Sequence, residues 1–342
     1  MRHEHLPGRV SILLLSSWLA AAALCHAETR RDLRFGSDEA ELAGTLVLPD
    51  GEGPFPGLVF LHGSGPHERG DSLALASRFV GLGVAALIFD KRGCGRSGGS
   101  WVQASLYDLA TDAAVAYRTL ARQPEVSDDA VGFFGPSQAA WIAPIAAADV
   151  DPAFLVLMSG GGVSPQESER FAYGRALARA NVGKEGVSAA EEALDAYFRY
   201  LATGEGRNAL VLRLEAAAGR AWARALGLER VLVSEAGRKH WEWVATFEPT
   251  VSIETLSMPI LLLFGDEDEN QPTHRAVAAW REGLEKAGNT QTVVHFFEGA
   301  DHLLRPTDQT GTGHHGHAAG FTDTVWAAVE SWVQEWVTEP AP

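Results

Sequence analysis

The chain has 342 residues, 46% of them hydrophobic and 21% charged, which is enough apolar material for a large core and excludes a disordered or fibrous protein. A formal net charge of -16 argues against nucleic acid or an anionic membrane surface as a partner. No period of solenoid or propeller type runs through it.

The first residues read as a targeting segment. Arg2 and Arg9 precede an apolar run from Val10 to Leu24, and Cys25-His26-Ala27 offers a small-residue cleavage site. Residues 1–27 are therefore expected to be a secretory signal peptide, giving a periplasmic or secreted protein with no stable membrane anchor after cleavage. A lipid anchor at Cys25 is the lesser alternative, because Leu24 is bulky where such sites want a small residue. Cleavage leaves Cys94 as the only cysteine, so no intramolecular disulfide is expected.

Strand signals follow at Thr29 to Phe35, Glu41 to Leu48 and Gly57 to His62. The last of these runs into Gly63-Ser64-Gly65-Pro66, a glycine-rich loop whose backbone N–H groups can face a ligand, and the Ser64 N–H is a candidate oxyanion donor. His62 reads as a buried structural histidine that holds this loop. Asp71 to Leu82 has helical periodicity with Asp71 available as a cap, and Val84 to Phe89 is the next strand. Its sequel, Asp90 to Gly99, reads as a tight loop pinned by an ion pair between Asp90 and Arg92. Ser105 to Arg122 is a second helix.

In Ala130-Val131-Gly132-Phe133-Phe134-Gly135-Pro136-Ser137-Gln138-Ala139-Ala140-Trp141 an apolar strand meets an alanine-rich helix, with Ser137 on the turn between them. Small residues at Gly135, Ala139 and Ala140 allow a tight turn that pushes the serine oxygen outward, where the Gln138 N–H points at any oxyanion that forms. Ala139 departs from a Gly-x-Ser-x-Gly pattern and tolerates unusual backbone angles less well than glycine. Ala153 to Met158, ending in Ser159-Gly160-Gly161-Gly162, is the last strand of a first block, residues 28–162. Strands alternating with helices predict the α/β class, with a mostly parallel sheet covered on both faces.

Over residues 163–256 that alternation stops. Leu194, Tyr197, Phe198 and Leu201 share one helical face, which predicts a helical insertion able to act as a lid. Trp241, Trp243 and Phe247 would either line an apolar substrate pocket or dock this insertion onto the core. The second block, residues 257–342, resumes with the strand Pro259 to Phe264 and the acidic turn Gly265-Asp266-Glu267-Asp268-Glu269-Asn270. Asp268 is the candidate to orient a histidine, and Asp266 is the alternative. A helix at Thr273 to Ala287 and a strand at Thr292 to Phe297 lead to Gly299-Ala300-Asp301-His302, which puts His302 on a loop at a strand's carboxyl end. His314-His315-Gly316-His317 lacks neighbouring carboxylates or cysteines and reads as a solvated loop, with no metal expected.

Together the turn around Ser137, the loops at His62 to Pro66 and Asp90 to Ser97, Gly265-x-x-Asp268 and Gly299-Ala300-Asp301-His302 resemble the α/β-hydrolase superfamily. Within it they look like the bacterial dienelactone-hydrolase-like and prolyl-oligopeptidase-like serine hydrolases, over about Leu42 to Trp336. The resemblance implies the α/β-hydrolase fold and acyl transfer through Ser137, His302 and Asp268, with Ser64 and Gln138 at the oxyanion and neither metal nor organic cofactor. A small-molecule ester with a small or medium acyl group is the expected substrate, since no propeller-type domain accompanies the strands. A peptidase or acyltransferase of the same superfamily, or an inactive binding protein on this scaffold, are the alternatives.

Overall fold

Eight segments become the strands of one sheet in the computed structural model, which describes residues 28–37, 40–232, 234–235, 237–307 and 321–339. They are β1 (Thr29–Ser37), β2 (Ala40–Leu48), β3 (Phe55–Phe60), β4 (Ala85–Phe89), β5 (Val126–Pro136), β6 (Leu155–Met158), β7 (Ile260–Gly265) and β8 (Thr292–Phe297). Their order across the sheet is β1-β2-β4-β3-β5-β6-β7-β8. The pairs β1–β2 and β2–β4 are antiparallel, and every later neighbour is parallel. This is the mostly parallel sheet of an α/β-hydrolase fold.

β4, β6 and β7 are buried along their whole length, as strands covered on both faces must be. Side chains alternate between the two faces. Phe133, Leu157 and Leu262 point into a layer filled by α2 (Leu106–Ala121), α3 (Ala139–Val150) and α12 (Thr273–Lys286). Their neighbours Phe134, Val156 and Leu261 point to the opposite layer, against α1 (Gly70–Val80) and α13 (Asp323–Val333). The start of α2 is fixed by a reciprocal cap, in which Ser105 accepts the Asp108 N–H and the Asp108 carboxylate accepts the Ser105 N–H.

Because β4 and β5 lie on opposite sides of β3, the chain leaves the carboxyl end of β3 in one direction and that of β5 in the other. The crevice outside such a reversal is where ligands gather in open α/β sheets. Here it brings the loop after β3 against the turn after β5.

Residues between β6 and β7 form helices α4 (Pro165–Arg179), α5 (Lys184–Thr203), α6 (Arg207–Ala216), α7 (Ala221–Leu226), α8 (Leu228–Val231), α9 (Arg238–Trp241), α10 (Trp243–Thr246) and α11 (Thr250–Ile253). Ser164 caps α4 by accepting the Glu167 N–H, and Pro165 sits in the first turn, where a missing N–H costs nothing. Leu194, Tyr197, Phe198 and Leu201 are buried on α5 and close a cluster with Leu210 and Trp222 that is separate from both sheet layers. Trp243 packs against this cluster and against the sheet layer, Phe247 is buried in the sheet layer, and the Trp241 indole N–H donates to the Val102 carbonyl at 3.0 Å. These aromatics dock the helical segment, and among the described residues none of them lines the cavity beside Ser137.

Candidate active site

β5 ends at Pro136, and the chain then turns through Ser137, whose φ of 51° is left-handed and strained for a residue with a side chain. The Ser137 N–H donates to the Met158 carbonyl of β6 at 2.8 Å, and its own carbonyl accepts the Ala140 N–H at 2.9 Å, so strand and helix both hold it. Only small residues fit around this turn. A Cβ on Gly135 would lie 3.2 Å from the Ala139 Cβ, and one on Gly160 would press into the Ser137 carbonyl. Ala139 itself lies in the right-handed turns of α3, so the glycine it replaces was not needed for backbone freedom. Small size is what the position requires.

His302 faces this serine. Its Nε2 is 3.0 Å from Ser137 Oγ, and its Nδ1 is 2.8 and 3.0 Å from the two oxygens of Asp268. An ionised carboxylate only accepts, so the proton sits on Nδ1 and leaves the Nε2 lone pair to accept from the Ser137 hydroxyl. Asp268 is buried and is held by two further donors, the N–H groups of Asn270 at 2.7 Å and Gln271 at 2.9 Å. Asp266, the alternative, faces elsewhere and accepts the Gly299 N–H at 2.7 Å. That bond fixes the turn from which the histidine loop departs. Asp301 braces the same loop by accepting from the N–H groups of Leu303 and Arg305 and from the Arg305 guanidinium. Burial would raise the Asp301 pKa, but these donors outweigh it and hold the carboxyl below its usual value.

On the other side of Ser137 lie Gly63 and Ser64. A Cβ on Gly63 would be 3.7 Å from that of Ser137. Among the described residues, neither the Ser64 N–H nor the Gln138 N–H donates to a protein acceptor. His62 is the buried structural histidine the sequence suggests: it bonds the Phe89 carbonyl at 2.7 Å, and burial, with the nearby Lys91 charge, pushes its pKa down to about 3. The imidazole is thus neutral at physiological pH and donates from Nε2.

The loop after β4 differs from expectation. Arg92 pairs with Asp112 of α2, at 2.7 and 2.8 Å, while Asp90 accepts the backbone N–H groups of Arg69 and Arg96, each at 2.8 Å. Between them Lys91 is buried, and its ammonium donates to the Gly63 carbonyl at 2.8 Å, the Gly65 carbonyl at 3.1 Å and the Gln138 side-chain oxygen at 3.1 Å. Sequence reasoning passed over this residue. The one signal was a lysine directly after a fully apolar strand, where the chain is still inside the protein.

Ser137 and His302 open on a cavity of about 310 Å³ walled by Leu61, Leu75, Phe134, Met158, Leu303 and Phe321. Among the described residues, all of its lining lies within 61–158 and 270–321, so no residue of the helical segment reaches it. His314 to His317 and the amino-terminal residues 1–27 lie outside the described residues. Among those described, no group of three or more His, Cys, Asp or Glu is arranged to hold a metal, and no helix is long and apolar enough to cross a membrane.

Residues 38–302, well over half of the chain, match the model of a family described as X-Pro dipeptidyl-peptidase (S15 family). The chain belongs to the S15 family. Solved structures similar in fold to this S15-family protein include an esterase from Pyrococcus furiosus, 15% identical, with a TM-score of 0.56 and coverage of 90% of this chain and 93% of the other. An α/β hydrolase from a Penicillium species is 14% identical, with a TM-score of 0.59 and coverage of 91% and 99%. An acylaminoacyl peptidase from Pyrococcus horikoshii is also 14% identical, with a TM-score of 0.58, covering 92% of this chain but 42% of that one. An uncharacterized protein of Mycobacterium tuberculosis is 31% identical over 129 residues, 38% of this chain and 45% of its own length. The match thus spans less than half the length of that curated relative. The family match and these structural neighbours agree on the α/β-hydrolase fold.

Proposed function

We propose that the protein hydrolyses carboxylic esters of small or medium acyl groups by way of an acyl-enzyme. The observation that carries this reading is the 3.0 Å contact between Ser137 Oγ and His302 Nε2, made at the wall of an apolar cavity. As Ser137 attacks the ester carbonyl, His302 takes its proton on Nε2, and the buried Asp268 stabilises the imidazolium and keeps it oriented. The Ser64 and Gln138 N–H groups receive the oxyanion. His302 then returns the proton to the departing alcohol, and a water, deprotonated by the same imidazole, releases the acid and restores Ser137.

The peptidase reading draws on the family description. Against it stands the small, mostly apolar cavity, which suits an acyl chain better than a peptide backbone with its many polar groups. An aryl ester and the matched anilide of the same short acyl group separate the two: the ester should turn over readily and the anilide far more slowly. Ser137→Ala should abolish both, with a loss on the order of a thousandfold or more. Comparable rates on ester and anilide would favour the peptidase.

Export belongs to the same proposal: residues 1–27 direct the chain to the periplasm or out of the cell. Charged residues in place of Leu13, Leu14 and Leu15 should leave it in the cytoplasm, and normal export of that variant would refute the assignment.

A further inference from the structure

We propose that Lys91 is a positioning residue for the oxyanion donors, clamping the Gly63–Ser64 peptide and the start of α3 into one rigid receptor. The inference rests on the serine-hydrolase reading above and adds a residue that reading does not use.

The geometry is specific. Gly63 C=O and Ser64 N–H belong to one peptide unit, so a donor on the carbonyl fixes the plane in which the N–H can point. The same donor polarises the peptide, and a hydrogen bond accepted at one end strengthens the donor at the other. Lys91 reaches the second oxyanion donor as well, because Gln138, whose N–H is the other arm, also gives its side-chain oxygen to the ammonium. An ammonium has three N–H donors, and three acceptors surround this one: Gly63 O, Gly65 O and Gln138 Oε1. A neutral amine has two, and would leave one of these oxygens facing a lone pair.

The charge stands without a carboxylate partner. Among the described residues no acidic side chain lies within ion-pair distance of Nζ. On its own loop, Asp90 is taken by the Arg69 and Arg96 N–H groups, Arg92 by Asp112 of α2, and Cys94 is a buried thiol. From the loop after β3, His62 is neutral, and the His67 imidazole bonds the Ser64 carbonyl; from α3 comes only the Gln138 amide. The Trp101 ring closes the outer side at 5.7 Å. Burial accordingly lowers the Lys91 pKa to about 8, which brings loss of the third donor into reach of mild alkali.

Aryl-ester hydrolysis across pH 6 to 10 tests the clamp, with each variant checked for folding by circular dichroism. Lys91→Met should lose kcat by on the order of a hundredfold with KM little changed, the pattern of a lost transition-state interaction. In the folded wild type, kcat should fall with an alkaline limb near pH 8, and Gln138→Glu, which sets a carboxylate against the ammonium, should move that limb upward by about a unit. A structural lysine would not move it. Wild-type kcat in folded Lys91→Met, or a limb that is absent or stays put in Gln138→Glu, overturns the proposal; should Lys91→Met fail to fold, the limb decides alone. Ser137→Ala, run alongside, separates the levels: turnover surviving it overturns the serine reading and the clamp together, whereas its loss with an unaffected Lys91→Met overturns the clamp alone.

Discussion

The carboxyl edge of the sheet and the helical segment between β6 and β7 are built to different tolerances. At the sheet edge, Ser137 holds a left-handed φ of 51°, Gly160 leaves no room for a Cβ, and Asp268 meets three partners within 3.0 Å. In the helical segment, an amphipathic face on α5 closes a small core of its own, and Gly174 on α4 has nothing within 4 Å of where a Cβ would stand. Position is fixed to fractions of an ångström in one region, and only the burial of an apolar face is fixed in the other. Chemistry requires the first, while docking a helix needs only the second.

The sharpest break in the comparison comes from the two aspartates of one turn. Asp268→Asn should lower kcat on the order of 10³–10⁴-fold, because an amide cannot support an imidazolium and can hold the wrong tautomer. Asp266→Asn should stay near wild type, since its amide oxygen can still accept the Gly299 N–H. Ester hydrolysis by the two purified variants gives the ranking, and the opposite order would move the carboxylate role to Asp266.

Glycine replacements probe the same contrast through stability. Gly160→Ala drives a methyl group into the Ser137 carbonyl, so it should lower stability by about 1–3 kcal/mol and reduce turnover as the elbow shifts. Gly174→Ala, in an exposed helical position with open space around it, should raise stability by about 0.5–1 kcal/mol and leave activity alone. Chemical denaturation of both variants measures the pair. A harmless Gly160→Ala would mean that the turn can yield, and that its precision has been overstated.

Much of the sheet edge was legible in the chain because its signals are local. A strand announces itself by an apolar run near a glycine, and Ser137, Asp268 and His302 each follow such a run within a few residues. What escaped depends on segments meeting across the fold. Arg92 takes Asp112, twenty residues away on α2, in place of the adjacent Asp90. Lys91 is buried because β3, β4 and α3 converge on it, which no short stretch of sequence encodes. Periodicity identified the buried face of α5, but it carries no information on which surface the segment covers. For that reason it left docking and pocket lining both open for Trp241, Trp243 and Phe247, which dock.

The sheet also orders the site by how firmly each part is held. β5, which leads into Ser137, has neighbours on both sides, while β8, from which the His302 loop departs, is paired among the described residues with β7 alone and exposes Phe296. Opening an edge strand breaks one ladder, and opening an interior strand breaks two. Ser137 thus follows an interior strand, and His302 follows one of the two edge strands, which open more readily. On warming, loss of turnover should report the fraying of β8 while the rest of the sheet, and the serine with it, is still folded.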